Sequence, residues 1–388
     1  MEQNFKMLAK CFYGFEPILA RELRQLGAGN VEEGLRIVTF EGDSGFMYKA
    51  NLCLRTALRI LKPISSFPVR NENDLYRRIK EIPWERYLGP DQSLAIDSVL
   101  KSETFTHSLY VSQKAKDAIA DRFRNLFDKR PDVDTQNPDL RIHIHIQHQQ
   151  CHLSLDSSGS SLHHRGYRTA TNIAPINEVL AAGLLLMSGW DGRANFLDPM
   201  CGSGTFLVEA AMIACNIPAN INRKHFGFQR WKDYDEALFQ KIVEASLNRT
   251  REFHYKIEGY DKAPSAVSKA RINIEQSKLE EYITVERQDF FKSIKHTEGP
   301  LHMVFNPPYG ERLNVEMEKF YKQIGDTLKQ GYPNTQAWMI TANMDALKHV
   351  GLRTSKKIKV YNGRLEARLV KYEIYEGSRR SKYQNTQT

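Results

Sequence analysis

Several features common in other protein classes are missing from this 388-residue chain. No apolar run approaches the roughly 20 residues that carry a helix across a bilayer, so no membrane partner is expected. The opening MEQNFKMLAKC has no hydrophobic core of the kind a secretory leader needs. Cysteine is sparse: Cys11, Cys53, Cys151, Cys201 and Cys215 are scattered, odd in number and form no C-x-x-C pair. That argues against a disulfide framework and for a reducing, cytoplasmic setting. Acidic residues are also under-represented beside basic ones, leaving a formal net charge of +9. The excess is uneven, with 22 Lys and Arg against 21 Asp and Glu in residues 1–160, and 33 against 25 in the remainder. A basic excess on one part of a chain favours a polyanionic partner, most often nucleic acid.

What is present divides at the Ser/Gly-rich stretch DSSGSSLHHRGYRTATNIAP, which turns basic at Arg165 and Arg168 and has no periodicity. Before it, short strand-like and helical pieces alternate as in a small α+β domain. FKMLAKC and LRIVTFEG read as strands, and FEPILARELRQLG and FMYKANLCLRTALRILK as helices. SLAIDSVLKS, LRIHIHIQ and CHLSLD read as further strands, with a helix over SLYVSQKAKDAIADRFRNLF. The cluster His143, His145, His148, Cys151 and His152 tempts a metal reading. Strict alternation with Ile142, Ile144 and Ile146 instead puts the isoleucines in a core and His143 and His145 on an exposed sheet face. No metal is expected there, because structural zinc needs two separated ligand pairs brought together by a turn.

After the junction the pattern becomes strand, turn, helix, repeated, which implies a mostly parallel sheet with helices on both faces. In such a sheet ligands bind outside the carboxyl ends of the strands. The first strand ends in DPMCGSGT. Asp198 and Pro199 lead into Gly202, Ser203, Gly204 and Thr205, whose glycines let backbone approach a ligand at a helix N-terminus. The P-loop lysine is absent, and Leu207 stands where a dinucleotide fingerprint needs its third glycine. An acid before the turn suits a ligand bearing positive charge together with a carboxylate, as the amino-acid part of S-adenosylmethionine does. The second strand ends at Asp261, suited to both ribose hydroxyls. A long insert, NIPANINRKHFGFQRWKDYDEAL, separates it from the glycine turn. The third strand ends with Asp289 and Phe290, suited to the amino group and ring face of adenine. Each acid alone also reads as a helix cap or turn former, but three strand ends in order fit one ligand.

The fourth strand ends in FNPPYGERL. Neither Pro307 nor Pro308 can donate to a ladder, so the strand stops abruptly and presents Asn306 and Tyr309 in a stiff turn. The Asn306 side-chain oxygen and the Pro307 carbonyl are placed to accept from an exocyclic base amine, with Tyr309 stacking on the base. Such fixed acceptors are what preorganised electrostatic catalysis requires.

DPMCGSGT and NPPYGERL resemble motifs I and IV of class I amino-methyltransferases that act on nucleobases. HHRGYR, APINEVLAAGLLL and NGRLEARLVKYEIYEG are similar to segments of the THUMP-containing large-subunit rRNA guanine-N2 methyltransferases. The resemblance implies a Rossmann-like class I methyltransferase domain with a mostly parallel seven-stranded sheet, preceded by α+β ferredoxin-like and THUMP domains. The implied boundaries are residues 1–60, 61–158 and 159–380, with a disordered tail over 381–388. It implies S-adenosylmethionine as cofactor, 23S rRNA as partner, and methyl transfer to guanine N2. Motif IV alone leaves a tRNA guanine or a DNA adenine open as the target. A non-catalytic rRNA-binding assembly factor is the reading from another class, and the intact Asp198, Asp261, Asn306 and Tyr309 speak against it.

Overall fold

The computed structural model describes residues 3–170, 176–308 and 314–375; Tyr309 and the 381–388 tail lie outside them. The chain forms two compact units. One comprises Met1–Cys11, Leu19–His164 and Arg223–Ala245, the other Phe12–Ile18, Arg165–Asn222 and Ser246–Thr388. In chain order the first half runs β1 (Phe5–Lys10), α1 (Glu16–Leu26), β2 (Gly29–Gly34), β3 (Ile37–Gly42), α2 (Ser44–Cys53) and β4 (Arg59–Pro68). It continues through α3 (Glu72–Glu81), β5 (Ser93–Lys101), α4 (Ser108–Phe127), β6 (Asp132–Val133), β7 (Leu140–Gln147) and β8 (Gln150–Asp156).

These strands form one eight-stranded sheet in the order β2-β3-β1-β4-β8-β7-β5-β6. Its core face carries Met7, Ala9, Val38, Phe40, Ile60, Ile142, Ile144 and Leu153, all buried. The central strand β4 corrects the sequence reading, which runs a helix through residues 46–62. The helix instead stops at Cys53, where Leu54 turns extended. Arg59–Pro68 then pairs with β1 on one side and β8 on the other, joining two smaller sheets into one. Tertiary pairing outweighs local helical periodicity here.

A second correction concerns the histidine face. His143 is on the side opposite the isoleucines, as alternation requires, yet it is only 7% exposed. Lys10 Nζ reaches across from β1 and lies 2.6 Å from His143 Nε2. Burial, assisted by the Lys10 charge, pushes the His143 pKa down to about 3, so the ring is neutral and accepts from the ammonium. Among the described residues no group of three His, Cys, Asp or Glu is placed to hold a metal.

The insert between the glycine turn and the second strand of the C-terminal half contributes Arg223–Ala245 to the first unit. Phe228 stacks on Tyr48 with ring centroids 4.4 Å apart, and Phe239 meets Phe228 edge-on. Arg223 donates to the carbonyls of Ser158, Ser160, Ser161 and His164.

The second unit contains α5 (Glu178–Ser188), β9 (Asn195–Asp198), α6 (Thr205–Ala214), β10 (Ile257–Asp261), α8 (Pro264–Ser277), β11 (Ile283–Arg287), β12 (Leu301–Phe305) and α9 (Asn314–Gly331). Strands β13 (Thr335–Thr341), β14 (Lys356–Asn362) and β15 (Leu365–Ile374) complete it, while α7 (Glu236–Leu247), which precedes β10 in the chain, belongs to the first unit up to Ala245. The sheet order is β11-β10-β9-β12-β13-β15-β14. β9 to β13 run parallel, and β15 is antiparallel to both its neighbours. All five residues of β12 are buried, as expected of a strand covered on both faces.

This core holds charge. Arg165, expected among the basic residues of the junction, has no exposure and lies 3.5 Å from Glu209 on α6, which has none either. Tyr167 donates to the same carboxylate at 3.0 Å. Removing one member of a buried pair strands the other charge, at a cost of about 3–5 kcal/mol. We expect Glu209→Ala to lower the thermal midpoint sharply, whereas Glu209→Leu combined with Arg165→Met recovers much of the loss, as read by calorimetry. A double variant no more stable than Glu209→Ala would show that the pair's charge is not the cause.

Candidate functional site

From β9 the chain order proceeds outward through β10 and β11 on one side, then returns to β12 and β13 on the other. The switch point is therefore between β9 and β12, where a crevice forms beyond the strand ends in doubly wound sheets. A cavity of about 620 Å³ opens there. Its walls include Asp198, Pro199, Gly202, Ser203, Thr205, Asp261, Asp289, Phe290, Asn306, Pro307 and Pro308. Eleven of the thirteen residues singled out from sequence are thus gathered around one space. Of the other two, Gly204 is not part of the wall, and Tyr309 lies outside the described residues.

The turn after β9 is held by groups from other elements. Gly202 N donates to Asp261 Oδ2 at 3.0 Å, and Asp261 Oδ1 accepts from Ala263 N at 2.9 Å. The acid at the end of β10 therefore braces the glycine turn as well as facing the cavity. Gly204 caps α6 with φ +80°, and a Cβ there would sit 3.2 Å from Ala270 Cβ. Its role is left-handed backbone and close helix packing rather than approach to a ligand.

Asn273 on α8 is buried and fully used. Its amide donates to the carbonyls of Ser203 (2.9 Å) and Ala170 (2.8 Å) and accepts from the N–H groups of Thr169 and Ala170. Arg168 donates to Thr205 Oγ1 at 2.7 Å and to the Ile176 carbonyl at 2.6 Å, with Glu178 at 3.2 Å. Neither role is visible in sequence, since both partners are distant along the chain.

The three acids differ in their surroundings. Asp198 is 1% exposed and accepts from Met200 N at 3.1 Å. Burial pushes its carboxyl well above the usual carboxylate range, and neighbouring Asp261 adds to the effect. Asp289 accepts from Phe291 N at 3.1 Å, so it caps a short turn while lining the cavity. Phe290 is mostly committed to the core beside Phe305 and Tyr332. Burial likewise raises the Cys201 thiol, which makes it an inert wall rather than a nucleophile.

At the end of β12 the Asn306 side-chain oxygen is buried with no hydrogen-bond partner. An orphaned buried acceptor is costly unless a ligand satisfies it. The cavity thus combines a helix N-terminus, carboxylates on three strand ends and one unused acceptor. It suits a ligand carrying both charges and a ribose at one end, and an amine donor at the other. Lys262, Gln288, Phe320, Asn362 and Leu365 also line it and were not anticipated, because nothing local marks them.

Comparison with known proteins agrees with this geometry. Residues 6–61 match the RlmL ferredoxin-like domain, residues 69–156 the THUMP domain, and residues 165–371 the family described as RMKL-like, methyltransferase domain. A Syntrophotalea carbinolica protein named ribosomal RNA large subunit methyltransferase K/L is 37% identical over 97% of this chain and 54% of its own. The chain spans about half the length of the K/L relatives it matches. A Synechocystis protein named as an RNA methyltransferase is 38% identical over 93% of this chain and 95% of its own. Among solved structures, a methyltransferase complexed with SAH superposes with a TM-score of 0.86 at 29% identity, covering 97% of this chain and 100% of that one. A Listeria monocytogenes protein described as a predicted N6-adenine-specific DNA methylase gives 0.85 at 27%, covering 96% and 97%. The chain belongs to the RMKL-like methyltransferase domain family.

Proposed function

We propose that this protein transfers a methyl group from S-adenosylmethionine to the exocyclic N2 of a guanine in 23S rRNA. The observation that carries the reading is the unpartnered, buried Asn306 oxygen in the same cavity as the Asp198, Asp261 and Asp289 carboxylates. The names of the K/L relatives support rRNA as the substrate, and the THUMP match supports an RNA-binding role for the N-terminal half. The division into domains at residues 1–60, 61–158 and 159–380 is part of this proposal, and the matches over residues 6–61, 69–156 and 165–371 support it.

Bound in this cavity, the cofactor supplies an electrophilic methyl group. Asp198 neutralises the ammonium end, Asp261 and Asp289 receive the ribose and adenine, and the start of α6 receives the carboxylate. An exocyclic base amine is a weak nucleophile because its lone pair is delocalised into the ring. Asn306 Oδ1 and the Pro307 carbonyl accept its two hydrogens, which favours a pyramidal nitrogen with its lone pair free. Pro307 and Pro308 hold the acceptors still, and Tyr309 is assigned to stacking. The base must leave its stack to enter, so a flipped or unpaired guanine is the substrate form.

The Listeria relative's description favours DNA adenine as a second target. Nucleoside mass spectrometry of 23S rRNA and DNA from a deletion strain separates them. The expected result is loss of one N2-methylguanosine, restored by wild type but not by Asn306→Ala. Unaltered rRNA with N6-methyladenine missing from DNA would reverse the assignment.

In purified enzyme, Asn306→Ala should leave cofactor affinity near wild type while turnover falls about a hundredfold or more, the scale of one preorganised transition-state partner. Stopped-flow transfer and calorimetric titration read the two quantities, and unchanged turnover would remove Asn306 from the mechanism.

Asp198 gives a pH signature. Its carboxyl holds a proton above the usual carboxylate range in the free protein, and an ammonium ligand favours the ionised form. Cofactor affinity should therefore rise with pH from that usual range until the raised pKa is passed, then level off. Titration in buffers of different ionisation enthalpy should show proton release on binding within this window. Asp198→Asn should abolish it, and wild-type binding without proton exchange throughout would contradict the assignment.

A further inference from the structure

The junction segment reaches the anion end of the cavity through one side chain, Arg168. Its Nη2 stands between two acceptors, Thr205 Oγ1 at 2.7 Å and the Ile176 carbonyl at 2.6 Å. Thr205 and Ile176 both line the cavity. Behind them Arg168 Nε lies 3.2 Å from Glu178 Oε1, and the arginine side chain is 12% exposed. Three partners in different directions suit a guanidinium, which presents separate donors in a rigid planar fork, better than the single ammonium of a lysine.

The direction of the hydrogen bond at Thr205 is fixed by chemistry. A guanidinium has donors and no acceptor, and it stays protonated in proteins. Thr205 Oγ1 therefore accepts from Arg168, and the hydroxyl keeps its own hydrogen to give. Among the described residues no protein group takes that hydrogen. Thr205 is buried and is the first residue of α6, beside the first-turn N–H groups that have no partner within a helix. Its unused donor thus belongs to the same stretch of wall that favours an anion.

Resting on the reading of this cavity as the S-adenosylmethionine site, we infer that Arg168 is a positioning residue for the cofactor's carboxylate. It acts through Thr205, holding the hydroxyl so that its hydrogen is donated to that carboxylate at the start of α6. Glu178 fixes the guanidinium from the far side, and the Ile176 carbonyl fixes it within the wall. A strut and a positioning group differ in what they protect. A strut supports every ligand of the cavity alike, whereas a hydroxyl aimed by Arg168 serves only a ligand that brings an acceptor to the start of α6.

The test titrates the full chain calorimetrically with S-adenosylmethionine and with its decarboxylated analogue, which differ in the carboxylate alone. Thr205→Val keeps the branched shape and removes the hydroxyl. It should weaken S-adenosylmethionine binding about tenfold or more, the scale of one hydrogen bond to a charged group, and change analogue binding by about twofold at most. Arg168→Met combined with Glu178→Gln, which strands no carboxylate, should show the same selective loss. Adding Thr205→Val to that pair should then cost little more, because residues that act as one unit are not additive. If the paired variant does not fold, Arg168→Lys, which keeps a charge beside Glu178 but lacks the fork, supplies the same comparison. Equal losses for both ligands, or a Thr205→Val cost that is unchanged once Arg168 is replaced, overturn the proposal and leave Arg168 a strut only. A wild-type protein that binds neither ligand overturns the cofactor reading itself, and this proposal with it.

Discussion

The turn between β9 and α6 is tied down from two sides, and the site depends on those ties. Asp261 takes the Gly202 N–H from the end of the adjacent strand, and Asn273 takes the Ser203 carbonyl from α8. A glycine turn alone is conformationally loose, because glycine has more accessible backbone states to lose than any other residue. With both ties in place the N–H groups at the start of α6 keep one orientation, which is the condition for them to act as an anion site. Asp261 therefore braces the turn through Oδ2 and its own strand end through Oδ1 while lining the cavity.

The second unit also buries charge around this turn. Arg165 with Glu209 and Arg168 with Glu178 place two ion pairs beneath and beside α6. Arg168 ends on Thr205, the first residue of that helix and part of the cavity wall. Buried pairs contribute little net stability compared with well-packed apolar groups. Here they connect the junction segment to the cavity-lining helix through directional contacts that apolar packing lacks. The basic residues of the junction, Arg165 and Arg168, are thus internal struts, so part of the chain's +9 net charge is not surface charge.

The site owes its two-ended character to strand order. The switch at β9 and β12 brings the glycine turn and the NPP turn side by side, although about a hundred residues separate Gly202 from Asn306 in the chain. The β14–β15 hairpin closes the far wall only because its antiparallel register carries the tip beyond the end of β13.

What the sequence alone determined was local. Alternation placed Ile142, Ile144 and Ile146 on a core face, repeated strand–turn–helix pieces specified a parallel sheet, and strand ends marked by Asp198, Asp261, Asp289 and Asn306 named most of the cavity wall. Each of these rests on interactions within a few residues or on the fixed rule that such sheets bind ligands at their carboxyl edge. Tertiary structure decided the rest. Residues 59–68 are a strand because β1 and β8 supply hydrogen bonds on both sides, although the helical spacing of the preceding residues runs on to Lys62. His143 is buried because Lys10, from a distant strand, lies across it. Asn273, Asn362 and Leu365 join the site through backbone contacts and register between elements far apart in the chain. No local pattern records which partners a side chain will meet once the sheet is closed, and that is why these residues had to be seen in three dimensions.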